Sequence, residues 1–212
     1  MSSLEGKLVY KRCFKRALDV VLSALAFPFF CIIYIFVAPA IKVDDGGTVF
    51  YKAPRRGLNG RVFQIYKFRS MKMNAPDIRN PDNSTFNSQE DQRVTRVGRI
   101  LRKTSIDEIP QILNVLKGDM SIIGPRPITI NKPLEEYDEK RRIRLTVKPG
   151  ITGMTQAYYR NLIGQEEKFE HDAKYAQNIT FRTDIKIFFK TIEMVLMQKG
   201  IYNAKTTEKS EK

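Results

Sequence analysis

Hydrophobic and polar positions divide this chain unevenly. From Val20 to Ile41, VVLSALAFPFFCIIYIFVAPAI, no residue is charged, and about 20 apolar residues suffice for a helix to cross a bilayer. Pro28 lies near the middle of the run. It withholds a backbone donor and clashes with the preceding turn, which predicts a kinked or broken helix. Before the run, Lys7 to Arg16 is strongly basic, while Tyr10, Cys13, Phe14, Ala17 and Leu18 share one helical face. That pattern suits a helix in the headgroup layer, apolar face down. Basic residues also follow the run at Lys42, Lys52, Arg55 and Arg56, so neither end is favoured for the far side of a membrane. Spanning and re-entrant topologies both remain open on these grounds. No small-residue cleavage pattern marks a signal peptide.

Beyond Ile41 the periods shorten. Asp44 to Gly47 is a turn signal. Thr48-Val-Phe-Tyr and Arg61-Val-Phe-Gln-Ile-Tyr predict two strands around Pro54 to Gly60. Met73 to Arg93, rich in Asn, Asp, Pro and Ser, predicts a loop that is either a mobile lid or a passive surface segment. Ile109, Ile112, Leu113 and Leu116 recur at helical spacing and stop at Lys117-Gly118. Leu134 to Arg144 predicts a charged, solvent-facing helix. Lys148 to Gly153 predicts a turn with exposed amides. Thr183-Asp184 would cap a final helix ending at Gly200, whose stripe, Ile185, Phe188, Phe189, Ile192, Val195 and Leu196, is more often core than membrane contact, with Lys186, Lys190 and Lys199 leaving a supporting interface role open. The tail from Lys205 is polar.

Charge narrows the partners. The 212 residues carry 37 Lys and Arg against 23 Asp and Glu, a formal net charge of +14, so an anionic partner is expected among phosphate groups, anionic lipid and nucleic acid. Cys13 and Cys31 lack metal-ligand spacing and are expected to be reduced. With one histidine, His171, a Ser-His triad or a His-rich metal site is poorly supported.

The densest chemistry lies between Val94 and Pro127. Asp107 and Glu108 are adjacent, approached by Arg96, Arg99, Arg102 and Lys103, and followed by Arg126 between two prolines. Ser105-Ile106-Asp107-Glu108 fits a capping box, with Glu108 reaching back to the Ser105 amide. Carboxylates at such a helix start are expected to have lowered pKa values. An ionised Asp is then a possible nucleophile, and its neighbour a possible Mg²⁺ ligand. The same four residues also fit a plain helix cap with solvated arginines nearby. Lys67 and Arg69, alternating with aromatics, add a pattern shared with single-strand nucleic-acid binders.

The runs IYKFRSM (Ile65 to Met71), SIDEIPQ (Ser105 to Gln111), LKGDMSIIGPRP (Leu116 to Pro127) and VKPGITGMTQ (Val147 to Gln156) resemble the bacterial sugar transferases, the monotopic phosphoglycosyl transferases. The resemblance covers nearly the whole chain and suggests the minimal, single-domain form. It implies an α+β fold: a small, mostly helical cytosolic domain with short strands, attached to an N-terminal re-entrant helix broken at Pro28. The expected divisions are 1–42 for the membrane segment, 43–204 for the catalytic domain with 73–93 as a mobile loop, and 205–212 for a disordered tail. Three departures from the family pattern stand out: Phe27 where Ser often precedes the proline, Lys148 where Arg is common, and Tyr158-Tyr159-Arg160 where Asn-Gly-Arg is common.

The resemblance also implies an activity. Sugar 1-phosphate would pass from a UDP-sugar to undecaprenyl phosphate through a phosphosugar adduct on Asp107, releasing UMP, as the first membrane step of bacterial glycan assembly. Glu108 would hold Mg²⁺, while Lys67, Arg102 and Arg126 bind phosphate. Lys148, Gly150 and Arg160 would contact nucleotide or sugar. The expected location is the bacterial inner membrane, catalytic domain on the cytoplasmic face, without nucleic acid. The rival reading is a non-catalytic, membrane-tethered protein binding anionic lipid or nucleic acid.

Overall fold

The computed structural model of the chain describes residues 10, 14–80, 86, 88 and 90–197. Most of the basic segment before Phe14, part of the 73–93 loop, Gly200 and the tail from Lys205 lie outside the described residues. The fold is α+β, as expected. Helix α1 (Lys15–Asp45) is closed by Gly46 in the left-handed region at φ 72°. Pro28 and Pro39 both lie within this one helical run, so Pro28 does not divide it into two segments. Ala24 to Phe29 are nevertheless all exposed, between the buried Ser23 and Phe30. Pro28 thus sits where α1 touches the rest of the protein least.

Strands β1 (Phe50–Arg56) and β2 (Val62–Phe68) form the expected hairpin, with Ala53 opposite Ile65. β1 runs through Pro54 to Arg56, so the connection is shorter than its sequence suggests. A short strand, β4 (Ile128–Thr129), adds to the other edge of β1, giving the order β2-β1-β4. Behind the hairpin come α2 (Arg96–Thr104), a 3-10 turn (Ile106–Gln111) and α3 (Ile112–Lys117), the last stopped by Gly118 at φ 92°. Asn114, fully buried on α3, binds this layer to the hairpin. Its side chain accepts from Tyr66 N at 3.0 Å and donates to Gln64 O at 2.7 Å.

β3 (Ser121–Ile123) pairs in parallel with β5 (Gly150–Thr152). The predicted turn with free amides is therefore a strand. Gly150 N donates to Pro125 O, and Gly124 N donates to Thr152 O. An added Cβ on Gly150 would stand 2.1 Å from Gly124 N, so glycine is required by close approach. The charged segment after Leu134 forms α4 (Glu139–Arg144), capped by the Asp138 carboxylate. α5 (Met154–Tyr158), α6 (Gln165–Gln177) and α7 (Phe181–Leu196) complete the fold.

Two expectations about faces fail here. α7 is capped by Thr180 rather than Thr183, and it buries Asp184, Ile187 and Met194, while Ile185, Phe188, Phe189, Ile192 and Leu196 are exposed. Asp184 rotates the helix in this way, because its carboxylate takes Lys15 Nζ, Tyr10 Oη and Tyr175 Oη inside the protein. Tyr10, expected to face the headgroups, is buried by the same contacts and stacks edge-on against Phe181.

Candidate functional site

The site forms where the end of β2 meets the 3-10 turn. Lys67 Nζ donates to Glu108 Oε1 at 2.5 Å, and Arg126 Nη2 donates to the same oxygen at 3.2 Å. Asp107 precedes Glu108 in the turn, and the Arg102 charge acts on it. Arg160, from the turn after α5, carries its charge toward Glu108. Five of the residues expected to serve chemistry beside Asp107, namely Glu108, Lys67, Arg102, Arg126 and Arg160, therefore converge.

The capping box does not form. Ser105 adopts φ 59° and closes α2, its amide donating to Arg102 O, with no side-chain cap. The Glu108 carboxylate is held by Lys67 and Arg126 instead. Local signature loses to two charge-assisted bonds from distant segments. The carboxyl groups consequently separate in acidity. Burial pushes Asp107 up to about 6, Lys67 opposing and Glu108 adding repulsion. Burial opposes ionisation of Glu108 as well, but Lys67 and then Arg126 hold it down at about 2. The expectation of a lowered Asp107 is overturned, because desolvation outweighs the neighbouring cations.

Two other expected contacts lie elsewhere. Gly150 has its amide taken by Pro125 O, just beyond β3. Lys148 is lowered by burial and by Arg16, which puts it beside the base of α1, near Gly118. Conversely, Arg144 and Asp172 drew no attention in the sequence. Arg144 Nη2 donates to Asp172 Oδ2 at 2.8 Å and to Arg126 O at 2.9 Å, both partners of the ion pair being buried. Thr155 Oγ1 completes Asp172 at 3.0 Å. The pair fixes the backbone from which Arg126 reaches Glu108. Only the surplus of arginines in RRIR hinted at it. His171 serves structure, stacking on Tyr159 at 4.5 Å.

Among the described residues no group of three His, Cys, Asp or Glu could cage a metal. The adjacent carboxylates fit Mg²⁺, which takes one or two of them and fills its shell with water and phosphate oxygens.

A carboxylate pair of divided acidity, approached by cations, thus stands in the same chain as a helix long and apolar enough to cross a membrane. Comparison with known proteins gives the family. The model for "Bacterial sugar transferase" matches residues 10–198. "Uncharacterized sugar transferase EpsL" of Bacillus subtilis is 43% identical over 189 residues, covering 88% of this chain and 89% of the relative. "Undecaprenyl-phosphate galactose phosphotransferase" of Salmonella typhimurium is 39% identical over 208 residues, covering 90% of this chain and 42% of the relative. "UDP-glucose:undecaprenyl-phosphate glucose-1-phosphate transferase" of Escherichia coli is 37% identical over 198 residues, covering 90% and 42%. The chain thus spans less than half the length of the two relatives whose names state a reaction. It belongs to the bacterial sugar transferase family.

Proposed function

We propose that this protein transfers a sugar 1-phosphate from a UDP-sugar to undecaprenyl phosphate, releasing UMP. The observation that carries this reading is Asp107 beside a Glu108 clamped by Lys67 and Arg126, in a family whose named relatives act on undecaprenyl phosphate. An Asp107 oxygen attacks the β-phosphorus of the donor, forming one P–O bond as the bond to UMP breaks. The phosphate oxygen of the acceptor then attacks the same phosphorus and Asp107 leaves. With a pKa of about 6, Asp107 is roughly nine-tenths ionised at pH 7 and needs no separate base. Lys67, Arg102 and Arg126 stabilise the charge on the transferred group and hold it in line. Mg²⁺, held by Glu108 with Asp107 adjacent, would supply further charge neutralisation at the phosphate oxygens.

The lipid acceptor gives α1 its purpose. Both of its ends bind the same domain. Near the start, Arg16 donates to Val115 O at 2.7 Å, and Asp19 accepts from Ile122 N at 2.9 Å. Near the end, Asp44 accepts from Val97 N at 2.9 Å, and Asp45 pairs with Arg69. Two ends on one domain do not suit opposite faces of a membrane. In this reading α1 enters and leaves by the cytoplasmic face of the bacterial inner membrane, with the exposed stretch around Pro28 deepest.

The test is UMP release from detergent-purified protein given Mg²⁺, undecaprenyl phosphate and a panel of UDP-sugars, beside an Asp107→Asn control. Acceptor-dependent UMP from one or two donors, absent in the control and after chelation, is expected. No UMP from any donor, together with no mass adduct on the protein, would return the reading to a binding protein.

A further inference from the structure

The run from Ile65 to Met71 brings one more polar side chain to the site, and it is buried. Ser70 follows the end of β2 and is 8% exposed, and its hydroxyl accepts from Arg102 Nε at 3.0 Å. Lys67 reaches Glu108 directly, whereas Arg69 turns away to Asp45 at the end of α1. One strand end therefore supplies a cation itself and, through Ser70, holds a second.

α2 docks on the Ser70 backbone before any side chain is considered. Met71 and Val94 form an antiparallel bridge, Thr95 N donates to Ser70 O at 3.1 Å, and Lys72 N donates to Arg93 O at 2.8 Å. Thr95 then caps α2, accepting from Gly98 N at 3.0 Å. Gly98 packs directly on the same serine: an added Cβ would stand 2.0 Å from Ser70 O, so only glycine allows this approach. Arg102, four residues on, shares the face of Gly98. Arg96, Arg99 and Lys103 lie about 100° or more round the helix from Gly98, so none of them points the same way. Side chains on a helix lean toward its N-terminus, which carries Arg102 back over the turn that Gly98 leaves bare and onto Ser70 Oγ.

The bond matters because Arg102 stands between two carboxyl groups. Its charge acts on Asp107 and also on Asp91. Asp91 is already held by Arg93, which donates to it through Nε at 2.9 Å and Nη2 at 2.7 Å. A guanidinium tied at Nε keeps its plane, and with it the direction of Nη1 and Nη2. A cation aimed before substrate arrives needs no reorganisation when charge develops on the reacting group.

We propose that Ser70 is a positioning residue: set in place by the Gly98 contact, its hydroxyl aims the Arg102 guanidinium at the phosphate group that approaches Asp107. The role of that phosphate rests on the transfer reaction proposed above.

The test is a double-mutant cycle between Ser70→Ala and Arg102→Met, in the full chain in phosphatidylcholine nanodiscs with Mg²⁺. It is read first as affinity for UDP, whose terminal phosphate stands for the transferred group and whose binding needs no turnover. It is read again as kcat/KM for UMP release. Ser70→Ala should lose roughly tenfold in each, the scale of one hydrogen bond to a charged group. In the Arg102→Met background it should cost nothing further, because the group it aims is gone. Ser70→Thr keeps the acceptor and should recover most of the loss. If Ser70→Ala does not fold, Ser70→Cys, similar in size and a weak acceptor, takes its place. Equal losses in both backgrounds would mark a merely structural contribution and overturn the proposal. So would no loss from Ser70→Ala, or a wild type that does not bind UDP. Coupled UDP affinities without UMP from any donor would uphold the role of Ser70 and count against the transfer reaction, so the two failures are separate results.

Discussion

Lys67 and Glu108 meet at 2.5 Å across the junction of β2 and the 3-10 turn. Lys67 also lowers Asp107, so one lysine serves two carboxyls. Lys67→Met should reduce kcat/KM by 100-fold or more, on the order of losing one preorganised cation at a phosphoryl centre. It should also move the acidic limb of the pH profile to higher pH, since the cation opposing Asp107 protonation is gone. A drop in rate with the limb unmoved would count against Lys67 as a neighbour of the nucleophile.

Asp107 itself carries a pH prediction. Activity should rise through pH 6 as its carboxyl ionises, and kcat/KM should follow that single group on the acidic side. Stability runs the other way. A carboxyl whose folded pKa is raised binds its proton more tightly when folded, so its contribution is lost as pH rises from about 4 through 6. Asn imitates the protonated form at every pH. Asp107→Asn should therefore be inactive yet melt about 2–4 °C above wild type at pH 7.5, equivalent to about 1 kcal/mol. Equal melting temperatures at pH 7.5 would refute the raised value.

Arg144 and Asp172 yield a stability prediction that activity alone would miss. Asp172→Ala leaves a buried guanidinium without its carboxylate, which should cost about 3–5 kcal/mol. Melting should fall by roughly 10 °C. The double variant Arg144→Met, Asp172→Leu should recover most of the stability while leaving Arg126 less well held. A melting curve and a UMP assay on the same preparations separate the two effects.

Gly150 distinguishes two accounts of one motif. If its amide met a nucleotide, Gly150→Ala would weaken substrate binding in a normally folded protein. Because the added Cβ would instead meet Gly124 N at 2.1 Å, the β3–β5 pair must separate. Gly150→Ala should unfold at markedly lower temperature, and substrate should not restore it. Normal melting with a raised KM would support the nucleotide account.

Much of this arrangement was legible from local pattern. Alternation around the hairpin, the Lys117-Gly118 stop and the concentration of cations about Asp107-Glu108 each follow from period or backbone freedom. Failures came where distant residues competed. Ser105 and Glu108 match a capping box, but nothing local reveals that Lys67, 41 positions away, takes the carboxylate. Arg144 reads as one more solvated charge until Asp172 arrives from α6. In α7, spacing defines a stripe but not its direction, which depends on where Asp184 finds its partners.

That direction leaves the apolar stripe outside the core. The outward face of α7 carries Ile185, Phe188, Phe189, Ile192 and Leu196, with Phe189 63% and Leu196 77% exposed, and Lys186 and Lys190 lie on the same helix. Such a helix binds an interface through its apolar face and anionic lipid through its lysines. Burying a Phe or Leu side chain is worth about 1.5–3 kcal/mol, so Phe189→Ser with Leu196→Ser should weaken vesicle binding by roughly tenfold or more. α1 remains, so the comparison needs vesicle partition at limiting lipid rather than simple presence in the membrane fraction. Melting in detergent should change little, because neither side chain belongs to the core. If partition stays the same while melting falls, the stripe packs against protein after all, and the bilayer contact belongs to α1 alone.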